Sequence, residues 1–309
     1  MSTTPTAGVQ TGQQSSHHTY APEFALLTVI ALWSSTFIVT KDQLDVFQPM
    51  AFIFVRFLLM MLMATAIMVI VSRGLPVPER RHIARFVAAG LTGYTFYQLG
   101  FVLGLDRTSV FATSLLISTS PLFTMIMLTI IGEKSPVLSW LGLAVAVVGV
   151  SVFLLDKRGG ERSLEGDLLS IMAAVSFAIY GIINRPLAKA YSPATYTAWA
   201  VTLGTIPLLL ASIPQALDQN WGDVSTTSWL AVLYMVIFPV YVAYMFWNYG
   251  IARRGAALAS SFGLLVPILS GVLSAIIFDE QFGPLKLGGA ALVLAGLMTI
   301  RVGAMRNSG

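Results

Sequence analysis

GLDRTSVFATSLLISTSPLFTMIMLTIIGEKSPVLSWLGLAVAVVG (104–149) and GIARRGAALASSFGLLVPILSGVLSAIIFDEQFGPLKLGGAALVLAG (250–296) are two copies of one pattern. The landmarks of the first are Gly104, Arg107, Ser114, Pro121, Glu133, Gly142 and Gly149. Gly250, Arg253, Ser260, Pro267, Glu280, Gly289 and Gly296 repeat them, with one extra residue between the Pro and the Glu. Each copy is an apolar run with a central proline, an acidic break and a glycine-studded apolar run. Such an echo means a chain built twice.

Working outward, the repeat extends backwards. Trp33, Lys41 and Pro49 align at one constant offset with Phe177, Arg185 and Pro193. Each unit then holds five apolar runs, and an odd-numbered unit in tandem places its second copy upside down in a membrane. Inverted repeats are common in secondary transporters, with the substrate site near the midplane between the halves.

The composition agrees with a membrane protein. Of 309 residues, 56% are hydrophobic and only 10% are charged, too few to cover a water-facing surface. The net charge of +4 therefore reads as basic residues held on one side of a bilayer rather than as a nucleic-acid footprint. Cysteine is absent, which excludes a disulfide framework or a thiol catalyst.

The expected fold is an all-α polytopic membrane protein of ten transmembrane helices arranged as two inverted five-helix repeats. Runs near the roughly 20 residues needed to span a bilayer fall at about 22–40, 48–71, 83–104, 109–131, 137–155, 165–184, 194–213, 227–249, 256–278 and 285–303. The domains follow: a disordered tail 1–21, a first repeat 22–156, a linker 157–166, a second repeat 167–304 and a short tail 305–309. The amino-terminal tail lacks the basic start and apolar core of a signal peptide, and its His17 and His18 read as incidental. With the amino terminus inside, the inner loops and tail carry eleven lysines and arginines against six outside. Both termini are then expected to be cytoplasmic, in an inner (plasma) membrane.

Polar residues inside spans mark a cavity or a packing partner. Trp33, Thr36 and Thr40 share one face of the first helix, answered by Phe177, Tyr180 and Asn184 on the sixth. Tyr94, Gln98 and Phe101 share a face of the third, answered by Tyr244 and Trp247 on the eighth, with Tyr241 and Asn248 nearby. Ser114, Ser118, Ser260 and Ser261 add hydroxyls, although serines in membrane helices also bond their own backbone. The expected substrate-binding residues are Trp33, Thr36, Tyr94, Gln98, Phe101, Ser118, Phe177, Tyr180, Tyr244 and Asn248. Pro121, Pro239 and Pro267 are expected to interrupt helices four, eight and nine and free backbone carbonyls. The glycines of helices five and ten suit close helix packing, as support or a dimer face.

No Asp or Glu lies deep in a span, so proton antiport through a buried carboxylate is disfavoured. The one deeply placed charge is Arg56, roughly 12 Å into its helix at about 1.5 Å per residue. It either holds a substrate carboxylate or locks helix packing through backbone carbonyls. The second role is preferred, because the equivalent position in the second half is Ala200.

The two quoted stretches resemble the EamA repeats of the drug/metabolite transporter superfamily. "LWSSTFIVTK" (32–41) and "FVRF" (54–57) resemble the first two helices of that repeat. The resemblance covers nearly all the chain beyond residue 22. It implies ten helices, an inverted fold and export of small metabolites, without fixing the substrate. The small four-helix multidrug branch uses a glutamate in its first helix; Leu26 to Thr40 holds none, so that mechanism does not carry over. The aromatic-lined, acid-free interior is also similar to the bacterial aromatic amino-acid exporters of this superfamily.

The expected function is export of neutral amino acids, aromatic or large ones foremost, by alternating access between the halves. The expected partners are such a small molecule and the lipid bilayer, with no nucleic acid. No cofactor, metal or catalytic group is expected, since His17, His18 and His82 all lie outside the spans. An exporter of lipophilic cations is the rival within transport; a membrane-embedded enzyme is the rival outside it.

Overall fold

The computed structural model describes residues 20–155, 163–255, 259 and 261–306. Nearly all of the expected amino-terminal tail with His17 and His18, the linker residues Lys157, Arg158 and Arg162, Ser260, and residues 307–309 lie outside the described residues.

The chain forms α1 (Ala21–Gln43), α2 (Pro49–Ser72), α3 (Arg80–Arg107), α4 (Val110–Ile130), α5 (Val137–Leu155), α6 (Leu164–Ala190), α7 (Pro193–Asp218) and α8 (Thr226–Arg254). A shorter α9 (Leu265–Ile277) and α10 (Pro284–Arg306) complete it. Among the described residues nine helices are long and apolar enough to cross a membrane, and α9 is the shorter tenth.

Local chemistry sets the helix starts. The side chains of Ser109, Ser163, Ser192 and Ser225 accept from backbone N–H groups of the first turns of α4, α6, α7 and α8. Pro49 and Pro193, repeat counterparts, open α2 and α7 where a missing N–H costs nothing.

Several helices outrun their apolar stretch. α3 continues to Arg107 and leaves only Thr108 and Ser109 for the reversal into α4. The arginine is tolerated there because its guanidinium reaches the Leu103 carbonyl (3.0 Å) and Glu165 (3.1 Å) at the end of the bundle. α6 and α7 run 27 and 26 residues, longer than the hydrocarbon requires, so their polar ends project beyond it.

The packing is two-fold. α2 lies along α7, α5 along α10 and α4 against α9, each helix on its own repeat counterpart. α1 meets α8 as α6 meets α3, and α1 meets α9 as α6 meets α4. Gly142 backs onto Gly296, and Gly149 onto Gly289. Since Gly289 is the counterpart of Gly142 and Gly296 that of Gly149, α5 and α10 cross antiparallel about the pseudo-two-fold axis. That crossing is the inversion.

Contacts away from the axis also come in pairs. Gly104 faces Ser170 as its counterpart Gly250 faces Leu26, the counterpart of Ser170. Thr108 donates to Asp167 (3.0 Å) where, at the opposite end, Arg254 pairs with Glu23 (2.7 Å). The position of the contact is kept while its chemistry differs. The apolar interior divides accordingly. One cluster joins α1, α2, α3, α7 and α8 around Phe52, Phe57 and Phe101. A second joins α4, α5, α9 and α10 around Phe111 and Phe153.

The α5–α10 seam leaves no room for a side chain. A Cβ on Gly149 would lie 2.6 Å from the Val293 nitrogen, and one on Gly296 2.5 Å from the Ala146 nitrogen. Both neighbours are backbone and cannot rotate away. Gly149→Leu and Gly296→Leu are each expected to cost about 1–3 kcal/mol by overpacking. The check is the melting temperature of the purified protein beside Gly288→Leu, where a Cβ meets nothing within 4 Å and stability should hold.

Candidate functional site

At mid-length both α3 and α8 loosen into a π-helical turn, over Leu91–Phe96 and Phe238–Val242. These are repeat counterparts, and π-bulges of this kind cluster at functional sites. In α8 the cause is Pro239, which has no N–H to donate and whose ring disturbs the preceding turn. The Pro239 carbonyl accepts a hydrogen bond from the indole of Trp33 on α1, at 3.2 Å. In α3 the counterpart is Gly93, pressed against Tyr180 of α6 so closely that a Cβ would lie 2.3 Å from its ring.

Around these two turns the aromatic residues of α1 and α8, and those of α3 and α6, form two groups of rings. Trp33 touches Tyr244 (centroids 6.2 Å, edge-on) and Trp247 (5.0 Å). Tyr97 stacks on Phe101 (6.3 Å) and meets Phe177 (5.5 Å), which in turn meets Tyr180 (6.0 Å). Tyr94 meets Tyr180 edge-on at 6.0 Å, and the Tyr196 hydroxyl of α7 donates to the Tyr180 hydroxyl. Tyr244 and Phe177 remain 51% and 41% exposed. Six of the ten residues expected from sequence to bind substrate thus fall in two ring groups, Trp33 and Tyr244 in one, Tyr94, Phe101, Phe177 and Tyr180 in the other, each drawn from both halves.

The hydroxyls behave otherwise. Thr36 donates to the Leu32 carbonyl (3.1 Å) and Ser118 to the Ser114 carbonyl (2.8 Å), each one turn back in its own helix. Gln98 is buried, and its side-chain oxygen has no hydrogen-bond partner among the described residues; the same holds for the Asn184 oxygen. Asn248 is exposed on α8, four residues beyond Tyr244.

Two of the proline expectations need correction. Pro121 and Pro267 do not themselves interrupt α4 and α9. The helices break before them, at Ser118–Thr119 and at Gly263–Leu264, and both prolines fall in the first turn of the helix that resumes. There the ring fits and no donor is needed. Ser34 of α1 donates to the Val266 carbonyl at the second of these breaks (3.2 Å).

Tyr97 joins the same rings and meets Phe177. It lies three residues after Tyr94 and four before Phe101, the spacing of one α-helical face, so the sequence did carry a signal for it. Arg56 is 4% exposed, with its guanidinium carbon 5.6 Å from the Phe57 ring centroid. Its Nε and Nη1 have no hydrogen-bond partner among the described residues, so these nitrogens do not lock onto backbone carbonyls as expected.

Charged side chains join the halves at both ends of the bundle. Glu280 binds the buried Lys286 (3.0 Å) and accepts from the backbone N–H of Phe111 in the first half (3.3 Å). Its counterpart Glu133 pairs with Arg185 of the second half at 3.1 Å. A cavity of about 820 Å³ opens beside Glu280 and Lys286, with Lys41 and Asp106 also on its wall. No group of His, Cys, Asp and Glu suited to a metal occurs among the described residues.

Comparison with known proteins agrees with this architecture. The EamA-like transporter family matches residues 21–155 and 164–302. The chain is 26% identical over 276 residues to the uncharacterized transporter YyaM of Bacillus subtilis, covering 86% of this chain and 88% of that protein. It is 26% identical to a probable terminal-alkyne amino-acid exporter of Streptantibioticus cattleyicolor (90% and 92% covered). Against a probable amino-acid metabolite efflux pump of Salmonella typhimurium it is 25% identical (89% and 92% covered). A crystal structure of 20% identity aligns over 94% of this chain and 98% of its own with a TM-score of 0.61, a likeness of fold. Two matched repeats, an all-helical membrane fold and these relatives place the chain in the EamA-like transporter family of the drug/metabolite transporter superfamily.

Proposed function

We propose that the protein exports neutral amino acids, large or aromatic ones foremost, across an inner (plasma) membrane in which both termini are cytoplasmic. The observation that carries this reading is the two aromatic groups at the paired π-turns, each built from both halves and free of acidic side chains. Ring faces of Trp33, Tyr97, Phe177 and Tyr244 suit an apolar or aromatic side chain, since offset and edge-on aromatic contacts are favourable by about 0.5–1.5 kcal/mol beyond area burial. Gln98 supplies an unpaired oxygen for an ammonium group, and Asn248 lies one turn beyond Tyr244. The names of two relatives, an amino-acid exporter and an amino-acid metabolite efflux pump, support the same substrate class.

Alternating access follows from the inversion. The halves are related by a pseudo-two-fold axis, so exchanging their conformations opens the site to the other side. Glu133–Arg185 and, at the opposite end, the hydrogen bonds of Phe111 to Glu280 and of Lys286 to Ser109 tie the halves and are the contacts such a motion has to remake.

Purified protein in liposomes is expected to take up labelled phenylalanine in preference to threonine, with saturable kinetics. No amino-acid flux above that of empty vesicles would defeat the proposal. Competition by quaternary ammonium compounds, with none by amino acids, would move the protein to the lipophilic-cation class. Tyr244→Ala and Gln98→Ala are each expected to lower phenylalanine flux by about five- to tenfold at sub-saturating substrate, as loss of a central contact does. Unchanged flux in both would remove them from the site. Gly93→Val should displace Tyr180 and lower flux while leaving melting within a few degrees; initial rates and a thermal scan of the same preparation check this.

A further inference from the structure

We propose that Arg56 is the residue that holds the substrate's carboxylate, so that the transported class is defined by a carboxylate next to an apolar or aromatic group. The inference rests on the transport reading above and deepens it. Arg56 is buried to 96% of its surface in the interior of α2, which packs against α3, α7 and α8. Those four helices carry acidic residues only at Asp106 and Asp218, both exposed at helix ends. The guanidinium is thus buried without a carboxylate at its depth. A guanidinium offers five N–H donors in a rigid fork, and here Nε and Nη1 have no partner among the described residues.

The ring of Phe57 lies within cation–π distance at 5.6 Å. A ring face answers part of the charge but accepts few of the N–H groups. Leaving them bare costs far more than a packing role repays, because an unpaired charge in a low-dielectric interior is among the most expensive arrangements a fold can hold. A purely structural arginine would be expected to spend those donors on carbonyls, as Arg107 does on Leu103. Arg56 keeps them.

Phe57, next to Arg56 in sequence, lies in the same buried cluster as Phe101, and Trp33 and Tyr94 pack against that cluster. A ligand carboxylate on the Arg56 fork, in the bidentate geometry that guanidinium and carboxylate favour, would leave its apolar end to the rings around it. The second half has Ala200 at the equivalent position, so this contact is made by one half only. That asymmetry suits an asymmetric ligand, with a charged end and an apolar end, held across a pseudo-symmetric site.

The test uses the full-length protein and three probes: L-phenylalanine, 3-phenylpropionate, which lacks the amine, and phenethylamine, which lacks the carboxylate. Binding is read by quenching of tryptophan fluorescence in detergent, and flux in liposomes. Wild type is expected to bind both carboxylates at least about tenfold more tightly than phenethylamine. Arg56→Gln should weaken both carboxylates by about 10- to 100-fold, the usual loss for a charge-assisted contact, and leave phenethylamine unchanged. Arg56→Lys, which keeps the charge but loses the fork, should recover part of the difference. Equal binding of phenylalanine and phenethylamine by wild type overturns the proposal without any variant. So does Arg56→Gln that elutes and melts as wild type and keeps its affinity for phenylalanine; if its flux is also unchanged, amino-acid export stands and the role of Arg56 falls. Arg56-dependent binding of 3-phenylpropionate without flux of any amino acid has the opposite meaning: the carboxylate site stands and the amino-acid assignment fails. Binding of none of the probes overturns both.

Discussion

A backbone group freed inside hydrocarbon has no water to turn to, and this constraint governs where the protein breaks its helices. The breaks at Ser118–Thr119, at Gly263–Leu264 and at the two π-turns all occur in the interior, and all are repeat-related. Trp33 serves the Pro239 carbonyl and Ser34 the Val266 carbonyl, both from α1 and both across the boundary between the halves. The irregular backbone is therefore also where the first half is tied to the second.

The same economy runs through the polar side chains. Hydroxyls one turn from a carbonyl bond to it, as Thr36 and Ser118 do, and contribute little to recognition. Groups that cannot reach back in this way, Nε and Nη1 of Arg56 and the side-chain oxygen of Gln98, have no hydrogen-bond partner among the described residues. Two cores divide the labour. α4, α5, α9 and α10 make a seam of glycines and aliphatics that fixes the axis, while α1, α3, α6 and α8 carry the rings. A seam of backbone against backbone is stiff, so relative motion of the halves has to be taken up elsewhere, at the salt-bridged ends and the loosened turns.

Much of this was legible in the residues because a membrane reduces the alternatives. Long apolar runs have to be helices, an odd-numbered tandem repeat has to invert, and serine or proline at a run's edge marks its first turn. Trp33, Tyr94, Phe101, Phe177, Tyr180 and Tyr244, grouped by helical spacing in the sequence, do make ring contacts between helices or along them. Tyr97 carried the same signal, three residues after Tyr94 and four before Phe101, but helical spacing alone does not show that its ring meets Phe177 on another helix. Arg56 was visible as a charge, but its partners were not, since sequence says nothing of which carbonyls lie within reach of a side chain.

By itself the sequence determined that this is a doubled, inverted, ten-helix membrane protein of the EamA type, because hydropathy, chain reversal and repeat phase are properties of a linear string. The tertiary structure alone decided which groups meet: that α5 and α10 cross on Gly149 and Gly296, that the prolines of α4 and α9 follow their breaks instead of causing them, and that Arg56 keeps its donors free. Those facts depend on distances between residues far apart in the chain, which only the packing of one half against the other creates.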